Sequence, residues 1–253
     1  MQESIDIANN SNYLDRLSAI YPVTFEARRQ LPLRIRQGII DAYEKQEGYA
    51  LTQALLQLPK FPVKDPYVAF LRKRANFLSH NPETVGRIAK RLFHMSFSEL
   101  MASCEEPKEF NRQIGPLFRK WLHTLGYPFL REQDLEQYQD IAFLEGSDGQ
   151  LRNYANSKLG CNLERGLDFI AKVGNTWAIG EGKFLTDYGG HQDRQFERAL
   201  QLVKSKEGRA IRIAVLDGVV WIKSKTKMFK TVCQLEEVAL SGLLLRKFLK
   251  SLR

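Results

Sequence analysis

Apolar and polar positions change their spacing near the middle of the chain. Up to about residue 125, apolar residues recur every three or four positions, which predicts amphipathic helices. Leu33–Tyr43 reads as one helix, and Pro66–Phe77 as another that starts on a proline suited to a first helical turn. Asn81–Phe93 has a cap, a proline and an amphipathic run, and Phe97–Cys104 supplies a further turn or two. Phe110–Leu125 is also helical, with Gly115-Pro116 either kinking it or marking its start. Proline-containing breaks at Lys60–Pro66 and Gly126–Pro128 punctuate these elements.

Past that point strands enter the pattern. Ser147 or Asp148 caps a helix running to about Leu159, with Leu151, Tyr154 and Ala155 on one face. Leu163–Ala171 and Trp177–Phe184 both alternate, and Gly174-Asn175 between them reads as a two-residue hairpin turn. The loop Thr186–Gln192 leads to a helix capped by Asp193, with Phe196, Ala199, Leu200 and Val203 as its apolar stripe. Ile211–Leu216 reads as a buried strand, Asp217-Gly218 as a turn, Val219–Ile222 as the next strand, and about Leu235–Leu249 as a final helix. This order predicts an α/β fold, a mixed sheet flanked by helices, behind a mainly helical N-terminal half. The expected division is a helical region over 1–125 and a core over 126–253.

Composition changes this picture little. The 253 residues are 43% hydrophobic and 26% charged, as in ordinary globular proteins, and no apolar run spans a bilayer. Met1–Asp6 has no basic segment ahead of an apolar one, so the chain is expected to stay in the cytoplasm. Cys104, Cys161 and Cys233 are far apart and read as reduced thiols, and His80, His94, His123 and His191 are too dispersed for a zinc cluster. Walker-type and dinucleotide-binding glycine spacings are absent. The net charge of +9 does matter, because it suits a polyanionic partner. Arg72-Lys-Arg74 and the series Lys223, Lys225, Lys227 and Lys230 concentrate that charge, though each also reads as a solvated face.

The candidate chemistry lies in the two paired segments. Strand alternation places Trp177, Ile179, Glu181 and Lys183 on one side of their strand, and the hairpin brings Asp168 toward them. Two carboxylates and an ammonium suit a hard divalent cation together with a phosphate. Mg²⁺ keeps most of its waters and needs only one or two protein carboxylates, here Asp168 and Glu181. Lys183 is then the group for the attacked phosphate or the nucleophilic water. Gly180 and Gly182 flank Glu181 at a cost in strand stability that a functional site tolerates better than a generic strand.

Gly166-Leu-Asp-Phe169 followed by Ile179-Gly-Glu-Gly-Lys-Phe184 resembles the PD-(D/E)xK nuclease superfamily, with Leu167 where the name-giving proline would stand. The continuation Leu185–Phe196 and the run Asn111–Trp121 look like type II restriction endonucleases in particular, so the resemblance covers roughly 110–205. It implies a restriction-endonuclease-like mixed sheet, Asp168 and Glu181 as Mg²⁺ ligands and Lys183 as the catalytic lysine. It also implies a homodimer cutting both strands of a palindromic site, with the N-terminal region serving DNA binding, dimerisation or both. Many relatives add an upstream acid. Glu145 is placed first here, and Asp148 and Glu164 are its rivals. Base-edge contacts are expected from Tyr188, His191, Gln192, Arg194 and Gln195, which equally form an ordinary polar loop and helix start. Arg112, Arg119 and Lys120 read as phosphate contacts or surface charges. Two other readings stay open: a structure-specific repair or junction-resolving nuclease, and a non-catalytic DNA-binding protein.

Overall fold

The helical spacing of the first half and the alternation of the second fall into two compact units in the computed structural model, which describes residues 1–10, 12–22, 29–74, 76–106 and 114–253. One unit comprises Met1–Val23 with Phe110–Arg253, and the other comprises Thr24–Glu109. The division therefore does not fall at 125/126. The first residues of the chain, in α1 (Gln2–Asn10) and α2 (Tyr13–Leu17), belong with the sheet.

The smaller unit is helical: α3 (Leu33–Glu44), α4 (Gly48–Leu56), α5 (Val68–Leu71), α6 (Phe77–His80), α7 (Pro82–Phe93) and α8 (Phe97–Glu105). Its core gathers Ile39, Leu51, Leu55, Ile88, Leu92 and Leu100, each fully buried. Asn81 occupies the N-cap position of α7, and α8 begins with a capping box between Ser96 and Glu99. The single helix expected over Pro66–Phe77 is instead two short ones. The Lys73 N–H takes the carbonyl of Phe70, tightening the end of α5, and the Arg72 guanidinium donates to the carbonyls of Leu58 and Pro59.

The larger unit continues with α9 (Ile114–Leu122), β1 (Phe129–Leu130), α10 (Glu132–Gln137), β2 (Ile141–Leu144), α11 (Asp148–Leu159), β3 (Phe169–Val173), β4 (Thr176–Leu185), α12 (Gly190–Lys204), β5 (Ile211–Gly218), α13 (Lys227–Cys233), β6 (Val238–Leu240) and α14 (Gly242–Lys250). The strands form one sheet in sequence order. It is mixed: β2, β3 and β4 pair antiparallel, whereas β1–β2, β4–β5 and β5–β6 pair parallel. One face packs Leu151, Tyr154, Ala155 and Leu159 of α11 on Ile170, Trp177 and Ile179. The other packs Phe118 of α9 with Phe143, Phe169 and Ala178. Helix α12 buries Phe196, Ala199, Leu200 and Val203 in the core and sets Leu202 among the residues around α11. Among the described residues, no helix is long and apolar enough to cross a membrane. Cys104 and Cys161 are buried, Cys233 is exposed, and all three are free thiols.

Four local expectations change. The helix predicted over Leu235–Leu249 divides into β6 and α14, because Ser241 caps α14 at its Leu243 N–H inside an apolar run that hides the boundary. Val219–Trp221 is a 3₁₀ turn, not a strand. Asn9 of α1 bonds the Trp221 carbonyl and the Lys223 N–H in place of a neighbouring strand, and Val220 and Trp221 are both fully buried. Helix α12 starts at Gly190, with Asp193 inside its first turn accepting from the Gly189 N–H at 3.1 Å. Strand β3 starts only at Phe169. Upstream, Asn156 of α11 bonds both the N–H and the carbonyl of Leu163, so that stretch is pinned to a helix and not to a strand.

Candidate active site

The hairpin of β3 and β4 builds the site. Its turn is Gly174-Asn175, where Val173 pairs with Thr176, and the register continues to Phe169 opposite Gly180. One residue further, Asp168 sends its N–H to the Gly180 carbonyl at 3.0 Å and stands opposite Glu181. Opposed residues of an antiparallel pair share a face, so both carboxylates project on the side that α11 covers. Lys183, two positions along, joins them. Its Nζ lies 2.7 Å from Glu181 Oε2 and 4.0 Å from Asp168 Oδ2, so the two carboxylates address one point. The three side chains are 13–18% exposed, which leaves the charges shielded but reachable.

Burial pushes the Asp168 carboxyl above its ordinary range, and Glu181 adds to this by like-charge repulsion. The Lys183 ammonium and the Gly182 N–H, which donates to Asp168 Oδ2 at 2.9 Å, act in the opposite direction. An acid pushed toward neutrality by burial and a neighbouring acid gains most from a cation placed between the two.

The glycines around Glu181 have a steric purpose. A Cβ on Gly180 would stand 2.5 Å from the Phe169 ring and 2.6 Å from the Ile213 carbonyl oxygen, and one on Gly182 would stand 2.7 Å from Phe118. These positions let β5 and α9 close on the strand that carries the catalytic candidates. Gly180→Ala is expected to lower unfolding stability by about 1–3 kcal/mol in urea titration. Gly182→Ala should cost less, because a side chain yields where the backbone of β5 cannot. Equal stability of Gly180→Ala and wild type would contradict this packing.

Asp148 is bonded to elements that flank this centre. It is the first residue of α11, its carbonyl accepts from the Leu167 N–H at 3.3 Å, and its Oδ1 pairs with Arg119 of α9 at 2.7 Å. The Arg119 guanidinium holds the Asp148 carboxyl below the usual carboxylate range, and Lys183 contributes to the same lowering. Glu145 follows β2, its N–H bonded to the Leu130 carbonyl; its exposed side chain makes no bond to the triad among the described residues. Glu164 lies in the pinned stretch before β3 and lines a cavity beside Glu181, without sharing a strand face with Asp168.

Several predicted DNA contacts have partners inside the molecule. The Tyr188 hydroxyl donates to the Val219 carbonyl at 3.3 Å, Gln192 donates to Thr186 at 3.2 Å, and His191 and Gln195 bond each other at 2.8 Å. Arg194 and Lys120 are exposed and unpaired among the described residues, and Arg112 lies outside them. The sequence reading missed the cavity of about 160 Å³ next to Glu181, whose walls include Arg165, Arg198 and Gln201. The signal was available, since Arg194, Arg198 and Gln201 recur at helical spacing on the polar side of α12.

Comparison with known families decides the identity of the chain. The family model of the Tsp45I type II restriction enzyme matches residues 1–252. The chain belongs to this restriction enzyme family. No curated protein and no solved structure matches it. Membership makes the protein a DNA-binding nuclease of a restriction system and implies sequence-specific DNA cleavage. The match reaches well beyond roughly 110–205, where the resemblance was legible, and takes in both units.

Whether the site suits a divalent ion is a question of donor chemistry. Among the described residues, no group of three His, Cys, Asp or Glu side chains could hold a metal together. Two carboxylates directed at one point are nevertheless the donor set that Mg²⁺ needs when water and phosphate complete its shell. The residues present fit the ion.

Proposed function

We propose that this restriction enzyme cuts both strands of DNA by Mg²⁺-dependent phosphodiester hydrolysis, with Asp168 and Glu181 as the metal ligands and Lys183 as the catalytic lysine. The observation that carries the reading is the convergence of the two carboxylates on the Lys183 ammonium, at 4.0 and 2.7 Å, within a chain of this family. When bound, the ion polarises the phosphate and lowers the pKa of a coordinated water. The protein supplies the rest. Asp168, steadied by the Gly182 N–H, and Glu181, fixed by the strand register, present their oxygens without reorganisation. Lys183 holds a positive charge where negative charge builds on the attacked phosphoryl group. Asp148 positions Arg119 on the rim, where its guanidinium takes a phosphate oxygen. As a homodimer the enzyme places one such centre on each strand of a palindromic site, in keeping with the family resemblance.

The test is digestion of a long, unmethylated duplex of known sequence, with Mg²⁺ or with chelator. A fixed set of discrete fragments in Mg²⁺ alone is expected. Intact DNA that still shifts on a gel in Mg²⁺ would overturn the catalytic assignment, and products that track branches or flaps would point to a structure-specific nuclease.

A further inference from the structure

The cavity beside Glu181 has a charge pattern that the hydrolytic triad does not explain. Three arginines line it: Arg165, Arg198 and Arg212. Arg212 is buried and gives its guanidinium to the carbonyls of Leu202 and Glu207, so it serves the fold. Arg165 and Arg198 are exposed, and among the described residues neither makes a hydrogen bond or ion pair. A guanidinium free on the surface is ordinary; two facing one cavity that ends at a metal-binding carboxylate are not. The acids in the same wall are Glu164 and Glu181. Once Glu181 is engaged by Lys183 and the metal, the remaining charge of the cavity is positive.

The two arginines are held on firm supports. Arg165 sits in the stretch that Asn156 fixes through both polar backbone groups of Leu163, at 2.9 and 2.8 Å, and that Arg152 secures at the Glu164 carbonyl at 3.2 Å. Arg198 stands on α12, whose opposite side buries Phe196, Ala199 and Val203 in the core. Arg194 and Gln201 share its stripe at i−4 and i+3, which extends the line of donors along the helix. Planar guanidinium forks match phosphate oxygens in bidentate fashion, and Gln201 adds a neutral donor.

We infer that this cavity and the α12 stripe form a track for the backbone of the cleaved strand, with Arg165 and Arg198 each binding a phosphate next to the scissile one. The track draws the phosphodiester against Glu181 and sets register, without reading bases. The inference rests on the nuclease reading and adds two positioning residues to it.

Cleavage kinetics of Arg165→Ala, Arg198→Ala, Arg198→Lys and the double alanine variant test it, on a duplex carrying the cut site and over a series of salt concentrations. Each alanine variant is expected to raise KM about tenfold, the worth of a charge-assisted hydrogen bond, with kcat little changed. Each should also reduce the slope of log affinity against log salt by about one, and the double variant by about two. Arg198→Lys keeps the charge and should retain the wild-type slope. Circular dichroism and melting of these surface variants should match wild type. Alanine variants whose KM and salt slope equal those of a wild type that cuts DNA would defeat the inference alone. A wild type that leaves all duplexes intact would defeat the nuclease reading, and the track with it.

Discussion

Glu181→Ala and Lys183→Ala are each expected to lower the single-turnover rate of DNA cleavage by about a thousandfold or more, the scale on which a pre-organised electrostatic group is lost from an active site. DNA affinity, measured by gel shift, should stay within a few-fold, because both side chains are largely buried and offer little surface to the bulk of a duplex. Stability should separate the two variants. Lys183 stands between two partly buried carboxylates, so its removal leaves Asp168 and Glu181 repelling each other with only the weaker influence of Arg119 and the Gly182 N–H to offset it. Removing Glu181 relieves the repulsion that helps raise the Asp168 carboxyl. Melting temperature is therefore expected to fall in Lys183→Ala and to hold or rise in Glu181→Ala. A gain in stability with loss of function is what a site kept for chemistry produces. Full activity in either purified variant would remove both residues from the mechanism.

The parts of this site that the sequence makes legible are those set by local chain geometry. Alternation puts Glu181 and Lys183 on one face, the Gly174-Asn175 turn sets the register, and the register brings Asp168 opposite Glu181. The helices α3, α7 and α11 are likewise legible, because their apolar stripes, and for α11 the Ser147–Gln150 capping box, are local to the segment. Illegible features depend on distant partners. Val219–Trp221 has the composition of a strand, but Trp221 is buried and its backbone is bonded by Asn9, more than two hundred residues away. The alternation of Leu163–Asp168 is real, yet Asn156 claims its polar groups before a neighbouring strand can. The choice of Glu145 as upstream acid rests on proximity to a glycine. The bond of Asp148 to an element flanking the centre arises only when α9 brings Arg119 against the start of α11. The first 22 residues show no chemistry of their own, and their role appears only in what they cover.

That role leads to the second large effect. Asp217, at the end of β5, is completely buried, and much of what holds it comes from the chain's beginning. Its Oδ2 accepts from the Tyr21 hydroxyl at 3.0 Å, and its Oδ1 from Ser241 at 2.5 Å, the Gly242 N–H at 3.1 Å and Tyr13 at 3.4 Å. Ser4 of α1 receives the Ser241 N–H at 3.0 Å. The Tyr21 ring also stacks on Phe184 at 4.6 Å, next to Lys183, so the cluster braces the strand that carries Glu181 and Lys183 from its far face. Asp217→Ala strands several buried donors at once and is expected to cost about 3–5 kcal/mol in urea unfolding at pH 7.5. Asp217→Asn should cost less, since one oxygen survives as an acceptor.

The pH dependence gives a sharper test of the same cluster. Burial pushes the Asp217 carboxyl up to about 6, above its ordinary value of 3.8, so the folded state binds this proton more tightly than the unfolded state. Stability from this group is therefore greatest at low pH and falls by about 3 kcal/mol as pH rises from about 4 to about 6, with no further change above. The asparagine variant lacks this titration, and all other groups cancel in the difference between the two proteins. The advantage of wild type over Asp217→Asn should thus be larger at pH 4 than at pH 7. A difference that stays flat across that window would mean that the donors around Asp217 offset its desolvation in full. A difference that widens with pH would mean that they favour the carboxylate outright, making the cluster a brace that tightens when Asp217 ionises.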